Sequence, residues 1–213
     1  MLDIKSQILA ESKKWEDALI KYMDQDICKA YFGWGKEQEV LENKEFYFDF
    51  FLDLIGSTNA FSKVIEIGSY DGFWTQFLLK CKSIVSVDLF IKSGEAIIRR
   101  IGDKQNFTFY KTEGYELQGL ESNSYDLIFS IDSLMRCAIA GYEAYFKEFY
   151  RVLKPGGRCL LHLPLDTEPG SIKKGFSNLT QQNIIDFSKE FEKVLIHGLR
   201  ISHGIIVEFF KKG

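Results

Sequence analysis

The chain has 213 residues, 46% hydrophobic and 27% charged, an ordinary balance for a globular domain that buries a core without staples. Its formal net charge of -3 lacks the basic excess with which nucleic-acid enzymes neutralise phosphates, which argues against a nucleic-acid partner. No run of about 18 apolar residues occurs and residues 1–6 carry no signal-peptide stretch, so neither a membrane span nor export is expected.

Leu2, Ile8, Leu9, Trp15, Leu19, Ile20 and Met23 recur at helical spacing, and Phe46, Phe50, Phe51, Leu54 and Ile55 give a second helical stretch over 37–55. Between them lies the glycine-broken aromatic run Tyr31-Phe32-Gly33-Trp34-Gly35. Residues 1–57 are thus expected to form a helical cap, and 58–213 the core of a single domain. In the core, strands are predicted at 64–67, 84–88, 107–110, 125–130 and 159–163, with helices at 73–81, 93–101 and 142–153 between them. Such alternation implies right-handed crossovers and a mainly parallel sheet covered on both faces. After a helix near 181–190, strands at 193–199 and 205–210 are joined by a loop too short for a parallel crossover, so they should pair antiparallel. Cys28, Cys81, Cys137 and Cys159 are far apart and form no CxxC pair, which fits reduced thiols in a cytoplasmic protein rather than zinc ligands or disulfides.

The first strand runs into Glu66-Ile67-Gly68-Ser69-Tyr70-Asp71-Gly72. Ligands of open parallel sheets bind beyond the carboxyl ends of the strands, and glycines there let a ligand approach the backbone. A dinucleotide site normally shows G-x-G-x-x-G. Here the glycines are Gly68 and Gly72, Tyr70 stands where the middle glycine would be, and Glu66 precedes them. That set suits a cationic ligand without phosphates better than a dinucleotide.

The segment resembles the first motif of class I, Rossmann-like S-adenosylmethionine-dependent methyltransferases: an acidic residue, one spacer, glycine, three spacers, glycine. Asp88, ending the second strand, is similar to that family's ribose-binding carboxylate. Glu113-Gly114 follows the third strand where the family meets adenine. Residues 124–130 and 148–157 are similar to its fourth-strand motif and to the stretch leading into its fifth strand, and the closing antiparallel pair resembles its reversed seventh strand. The resemblance covers about residues 60–213. It implies a seven-stranded, mostly parallel α/β sheet with an antiparallel last strand. It also implies S-adenosylmethionine as cofactor, S-adenosylhomocysteine as product, and cofactor contacts from Glu66, Gly68, Ser69, Tyr70, Gly72, Asp88, Leu89, Glu113, Gly114 and Ser130. The chain departs from the family at Tyr70 and Asp71, where many members have a second glycine, and at Glu113, where Asp is commoner.

Methyl transfer from a sulfonium is an in-line displacement, in which alignment and water exclusion supply much of the rate and a general base assists an oxygen acceptor. The candidates for that base are Asp132, just past the fourth strand, and His162, near the end of the fifth. Each has a second reading, Asp132 as a helix cap and His162 as a satisfied core histidine. Asp166 is a further option, whereas His197 and His203 read as structural or solvated and Asp126 as structural. No metal-ligand cluster is evident, so no metal is expected. Residues 130–133 lack the Asn/Asp-Pro-Pro-Tyr/Phe motif of base and glutamine methylation. The leading expectation is therefore methylation of a small molecule, at oxygen. Alternatives are a protein or peptide acceptor, a nicotinamide-dependent oxidoreductase, and a binding protein that keeps the fold without turnover. Tyr31, Phe32 and Trp34 could form a lid or pack the cap on the sheet, and exposed aromatics there would permit a homodimer.

Overall fold

The computed structural model describes residues 62–213 apart from 168, 173, 174, 202 and 203, together with Asp53, Ile55 and Gly56. The helix at 2–25, most of that at 37–55, the 31–35 aromatic run and His203 therefore lie outside the described residues. Seven strands, β1 (Lys63–Ile67), β2 (Ser83–Asp88), β3 (Phe107–Lys111), β4 (Tyr125–Ser130), β5 (Leu153–Leu163), β6 (Lys193–Ile201) and β7 (Gly204–Phe210), form one sheet in the order β3-β2-β1-β4-β5-β7-β6. β1 to β5 pair in parallel, and β7 runs antiparallel to both β5 and β6. β7 alone is reversed, as the short loop before it requires.

β1 and β4 are buried along nearly their whole length because the sheet is covered on both faces. On one face α1 (Thr75–Leu78) packs into a cluster that includes Val64, Phe73, Trp74, Leu78, Ile84 and Phe129, and α2 (Ile91–Ile101) follows β2. Gly94 of α2 lets the ring of Phe109 approach to where its Cβ would stand, 2.8 Å away. On the other face α3 (Ile139–Val152) and α5 (Gln181–Phe187) cover the larger cluster around Tyr142, Phe146, Phe149 and Phe209. The short helix α4 (Pro169–Ile172) lies in the connection between β5 and α5.

Two elements differ from their sequence reading. The helix expected over 73–81 is only four residues long, because Phe73 and Trp74 spend the first turn packing edge-on against each other and into the core. β5 begins at Leu153, ahead of Pro155-Gly156-Gly157: Leu153 pairs with Tyr125, an irregularity follows, and the ladder resumes at Arg158.

Candidate active site

Connections from β1 leave toward β2 on one side, and β4 lies on the other, so the switch in strand order falls between β1 and β4. Crevices of open α/β sheets form there. The carboxyl ends of β1, β2, β4 and β5 bring the 68–72 loop, Asp88, residues 130–133 and His162 to one end of the sheet.

The loop has a backbone that few side chains tolerate. Gly68, Tyr70 and Gly72 have φ of +70°, +49° and +80°. Gly68 N donates to Val87 O at 2.8 Å, and Gly72 N to Ser69 O at 2.8 Å. A Cβ on Gly68 would lie 2.0 Å from the Cβ of Ser133, so that glycine is fixed by space as well as by dihedral. The Ser69 hydroxyl is buried and has no hydrogen-bond partner among the described residues. An orphaned buried hydroxyl inside a ligand-shaped loop is what a bound group would satisfy.

Asp88 closes the loop against β2. Its Oδ2 accepts from Tyr70 N at 2.8 Å and its Oδ1 from Phe90 N at 3.1 Å. Burial raises its pKa, and these backbone amides, with the Ser93 hydroxyl and the Leu89 amide, oppose that rise. A carboxylate so anchored keeps acceptor capacity for incoming hydroxyls.

Glu66 sits deeper. Its Oε2 accepts from Thr75 Oγ1 at 2.6 Å and Ser86 Oγ at 2.8 Å, tying α1 and β2 to β1 beneath the loop. Burial pushes its pKa up to about 7, the two hydroxyls pull it down, and Asp88 and Asp71 add to the rise. Asp71 is also buried, and Arg100 of α2 answers its charge at 2.5 Å.

Sequence reasoning missed what surrounds these groups. Ser133 and Ser130 both donate to Ile67 O, at 2.8 and 3.1 Å, and their hydroxyls lie 2.7 Å apart, which sews the end of β4 to the end of β1. Past β3, Glu113 is exposed and pairs with Lys111, while Gly114 N donates to Thr112 Oγ1 at 3.2 Å. Next to Gly114, the Tyr115 ring meets Tyr145 edge-on with centroids 5.2 Å apart and lies over Gly141, whose absent Cβ makes room for it. The signal for that packing was a glycine inside an otherwise strong helix. α3 holds the same loop through Glu148, which accepts from Leu117 N at 2.9 Å, and Arg151, which donates to Leu117 O and Leu120 O.

Asp132 and His162 come together. Asp132 has φ +59°, a conformation sparsely populated outside glycine, and its Oδ1 lies 2.8 Å from His162 Nδ1. The distance is that of an ion pair, while the ring N–H does not point in line at the oxygen. His162 is fully buried, with Nε2 facing Gly204, and Asp132 is the partly exposed member. The other candidates stand apart. Asp166 is exposed and its amide donates to Leu179 O. His197 pairs with Glu208 on β7 at 2.9 Å, and Asp126 caps Lys63 N and pairs with Lys154 at the opposite end of β4. Among the described residues no cluster of His, Cys, Asp and Glu could hold a metal ion, and no helix is long and apolar enough to cross a membrane.

Residues 65–161, from within β1 to within β5, match the family described as a methyltransferase domain. The fold that carries this match is that of the class I, Rossmann-like methyltransferases. The fold is shared with the N-methyltransferase NodS from Bradyrhizobium japonicum WM9 solved with S-adenosylhomocysteine, at TM-score 0.66 and 16% identity over 92% of this chain and 98% of that one. It is shared too with an S-adenosylmethionine-dependent methyltransferase from Methanosarcina mazei, at TM-score 0.60 and 13% identity over 75% and 96%. The CurJ carbon methyltransferase matches at TM-score 0.56 and 13% identity over 73% of this chain, which spans half of that protein's length. A search of curated proteins found no match. The residues present fit S-adenosylmethionine, the cofactor that the resemblance implies. The loop offers an orphaned hydroxyl, the β2 carboxylate has capacity for ribose hydroxyls, and the buried acidic groups suit a sulfonium cation rather than a pyrophosphate.

Proposed function

We propose that this methyltransferase acts on a small molecule and methylates it at oxygen. The observation that carries the reading is the Asp132–His162 pair, a carboxylate and an imidazole 2.8 Å apart one residue from Ser133, which packs on the cofactor loop. Nitrogen and carbon acceptors differ in their need for a base, whereas a hydroxyl gains most from one held in reach.

The cofactor supplies a methyl group on a sulfonium, which needs no protonation to leave. Asp88 would hold the ribose, with Leu89 beside it. Gly68, Ser69, Tyr70 and Gly72 would line the rest of the cofactor, Gly114 and Glu113 would border the adenine, and Ser130 would stand at the transferring end. Glu66 supports that loop from below. On the acceptor side, Asp132 is the group open to an incoming hydroxyl and takes its proton. His162 lies buried behind it, with Nδ1 2.8 Å from the carboxylate. A cytoplasmic location accords with Cys81, Cys137 and Cys159 being thiols.

The test has two steps. Calorimetric titration with S-adenosylmethionine, S-adenosylhomocysteine and NAD(H) should show saturable binding of the two sulfur ligands alone. Labelled methyl donor is then offered to panels of small hydroxyl, amine and peptide acceptors. Turnover confined to hydroxyl acceptors, and lost about 100-fold in Asp132→Asn with unchanged S-adenosylhomocysteine affinity, supports the reading. Turnover confined to amines or peptides, or an Asp132→Asn variant of full activity, overturns it.

A further inference from the structure

We propose that Arg100 is a positioning residue for the cofactor, which holds the 68–72 loop in its binding shape through a part-buried ion pair with Asp71. The proposal rests on the cofactor lying over that loop.

Asp71 lies with Tyr70 in the stretch where many members of the family have a second glycine, and it is almost wholly buried. A buried carboxylate in a ligand loop is costly unless something answers its charge. The answer comes from the last turn of α2. Arg100 Nη2 lies 2.5 Å from Asp71 Oδ2, and Arg100 Nε donates to Asp71 O at 3.0 Å, so one guanidinium grips both the side chain and the backbone of a single loop residue. The remaining carboxylate oxygen, Oδ1, accepts from Phe73 N at 3.3 Å and closes the turn into α1. The Arg100 guanidinium also lies 5.9 Å from the centre of the Phe73 ring.

The same helix holds the loop at two further points. One turn earlier, Ile97 fills the space where a Cβ on Gly72 would sit, 3.0 Å away. At its start, Asp88 takes the amides of Phe90 and Tyr70 on its two oxygens. α2 is therefore a splint along the loop, fixed by Asp88 at one end and by Arg100 at the other. Between these fixings lie Ser69 with its orphaned hydroxyl, Tyr70 with φ +49°, and Gly72 with φ +80°. A chain with more glycines would have to lose more conformational entropy to hold such a shape. Here an ion pair restrains it before the ligand arrives. Without Arg100, the Asp71 charge is left unanswered in the loop, and turning out to solvent relieves it. That rotation would shift its neighbours Tyr70 and Gly72, loosen the bond from Tyr70 N to Asp88, and spoil the ribose carboxylate without touching it.

The test is calorimetric titration of the full chain with S-adenosylhomocysteine, at a temperature well below each variant's melting point. Arg100→Met and Asp71→Asn should each weaken binding by about tenfold or more, as loss of a charge-assisted bond implies. The double variant should be no weaker than the worse single, since both remove one clamp. Arg100→Lys keeps the charge but loses the two-point grip, and its affinity should fall between Arg100→Met and the parent. Should Arg100→Met fail to fold, Arg100→Lys and Asp71→Asn make the same comparison. Variants that melt lower yet bind S-adenosylhomocysteine as the parent does would overturn the proposal, because the pair would then serve stability alone. If the parent protein binds no S-adenosylhomocysteine, it is the cofactor assignment that falls, and the clamp with it.

Discussion

Gly68 and Ser133 share one volume: the serine's Cβ stands 2.0 Å from where a Gly68 side chain would begin, and its hydroxyl is bonded to Ile67 O. Gly68→Ala therefore carries two penalties, a collision with Ser133 and a left-handed φ worth about 1–2 kcal/mol for any residue with a Cβ. The two penalties separate experimentally. Gly68→Ala should lower stability by about 3 kcal/mol in urea unfolding, and adding Ser133→Gly should recover the collision part and leave the dihedral part. Full additivity of the two changes would show that the contact is not what fixes this glycine. At this scale the sequence was informative wherever a residue's chemistry and its place on a strand coincided. Asp88 at a strand end and Gly68 at a strand-to-helix turn could be read directly. Ser133 could not, because its partner is 65 positions away and nothing local marks it. For the same reason Asp71 showed only as a departure from a motif until Arg100, 29 residues on, was seen to answer it.

Elements were legible by period and by their ends, and they differ from the reading where tertiary packing decides. The start of α5 is a case in which local chemistry suffices. Thr180 accepts from Asn183 N at 3.1 Å while the Asn183 side chain accepts from Thr180 N at 3.0 Å, a reciprocal cap that satisfies two donors at the helix start. Thr180→Ala should cost about 1 kcal/mol of unfolding free energy, and Thr180→Ser should restore most of it. A Thr180→Ala protein as stable as the parent would mean that α5 is held by Ile184 and Phe187 on the core alone. α1 is the opposite case. Its apolar run promised two turns of helix, yet one survives, because two adjacent aromatics packing into the core outweigh the helical preference of the residues around them. β5 likewise starts early because Leu153 has a strand neighbour in Tyr125, which no local signal could reveal.

A mainly parallel sheet with a reversed last strand was legible from alternating strands and helices and from the length of one loop, whereas the order of its strands came only with the structure. What it costs the molecule to build a crevice with buried acids was not legible, since that depends on how deeply the acids are buried. Glu66 shows the consequence. In the unfolded chain it titrates near 4.5, whereas in the fold burial raises it to about 7. Between those values the native state holds a proton that the unfolded chain has released, so stability falls as pH rises. The contribution is fully present below the unfolded value and is lost as pH passes through about 7; the whole difference is about 3 kcal/mol. Asp88, also raised by burial, adds a fall of the same sign from its own ordinary value of 3.8 upward. Glu148, lowered by its bond to Arg151, acts oppositely but sits nearer the surface and is screened. The net expectation is that urea midpoints decline from pH 5 to about 7 and then level. Glu66→Gln keeps the acceptor oxygen for Thr75 and Ser86 but cannot ionise, so its midpoints should decline far less over that range. A Glu66→Gln protein with the full decline would locate the buried charge elsewhere. If the decline is Glu66's, the unliganded fold is least stable where the carboxylate is ionised. A sulfonium cation bound nearby would then favour that charged form, so the stabilisation conferred by S-adenosylmethionine over that conferred by uncharged-sulfur S-adenosylhomocysteine should grow as pH rises through about 7.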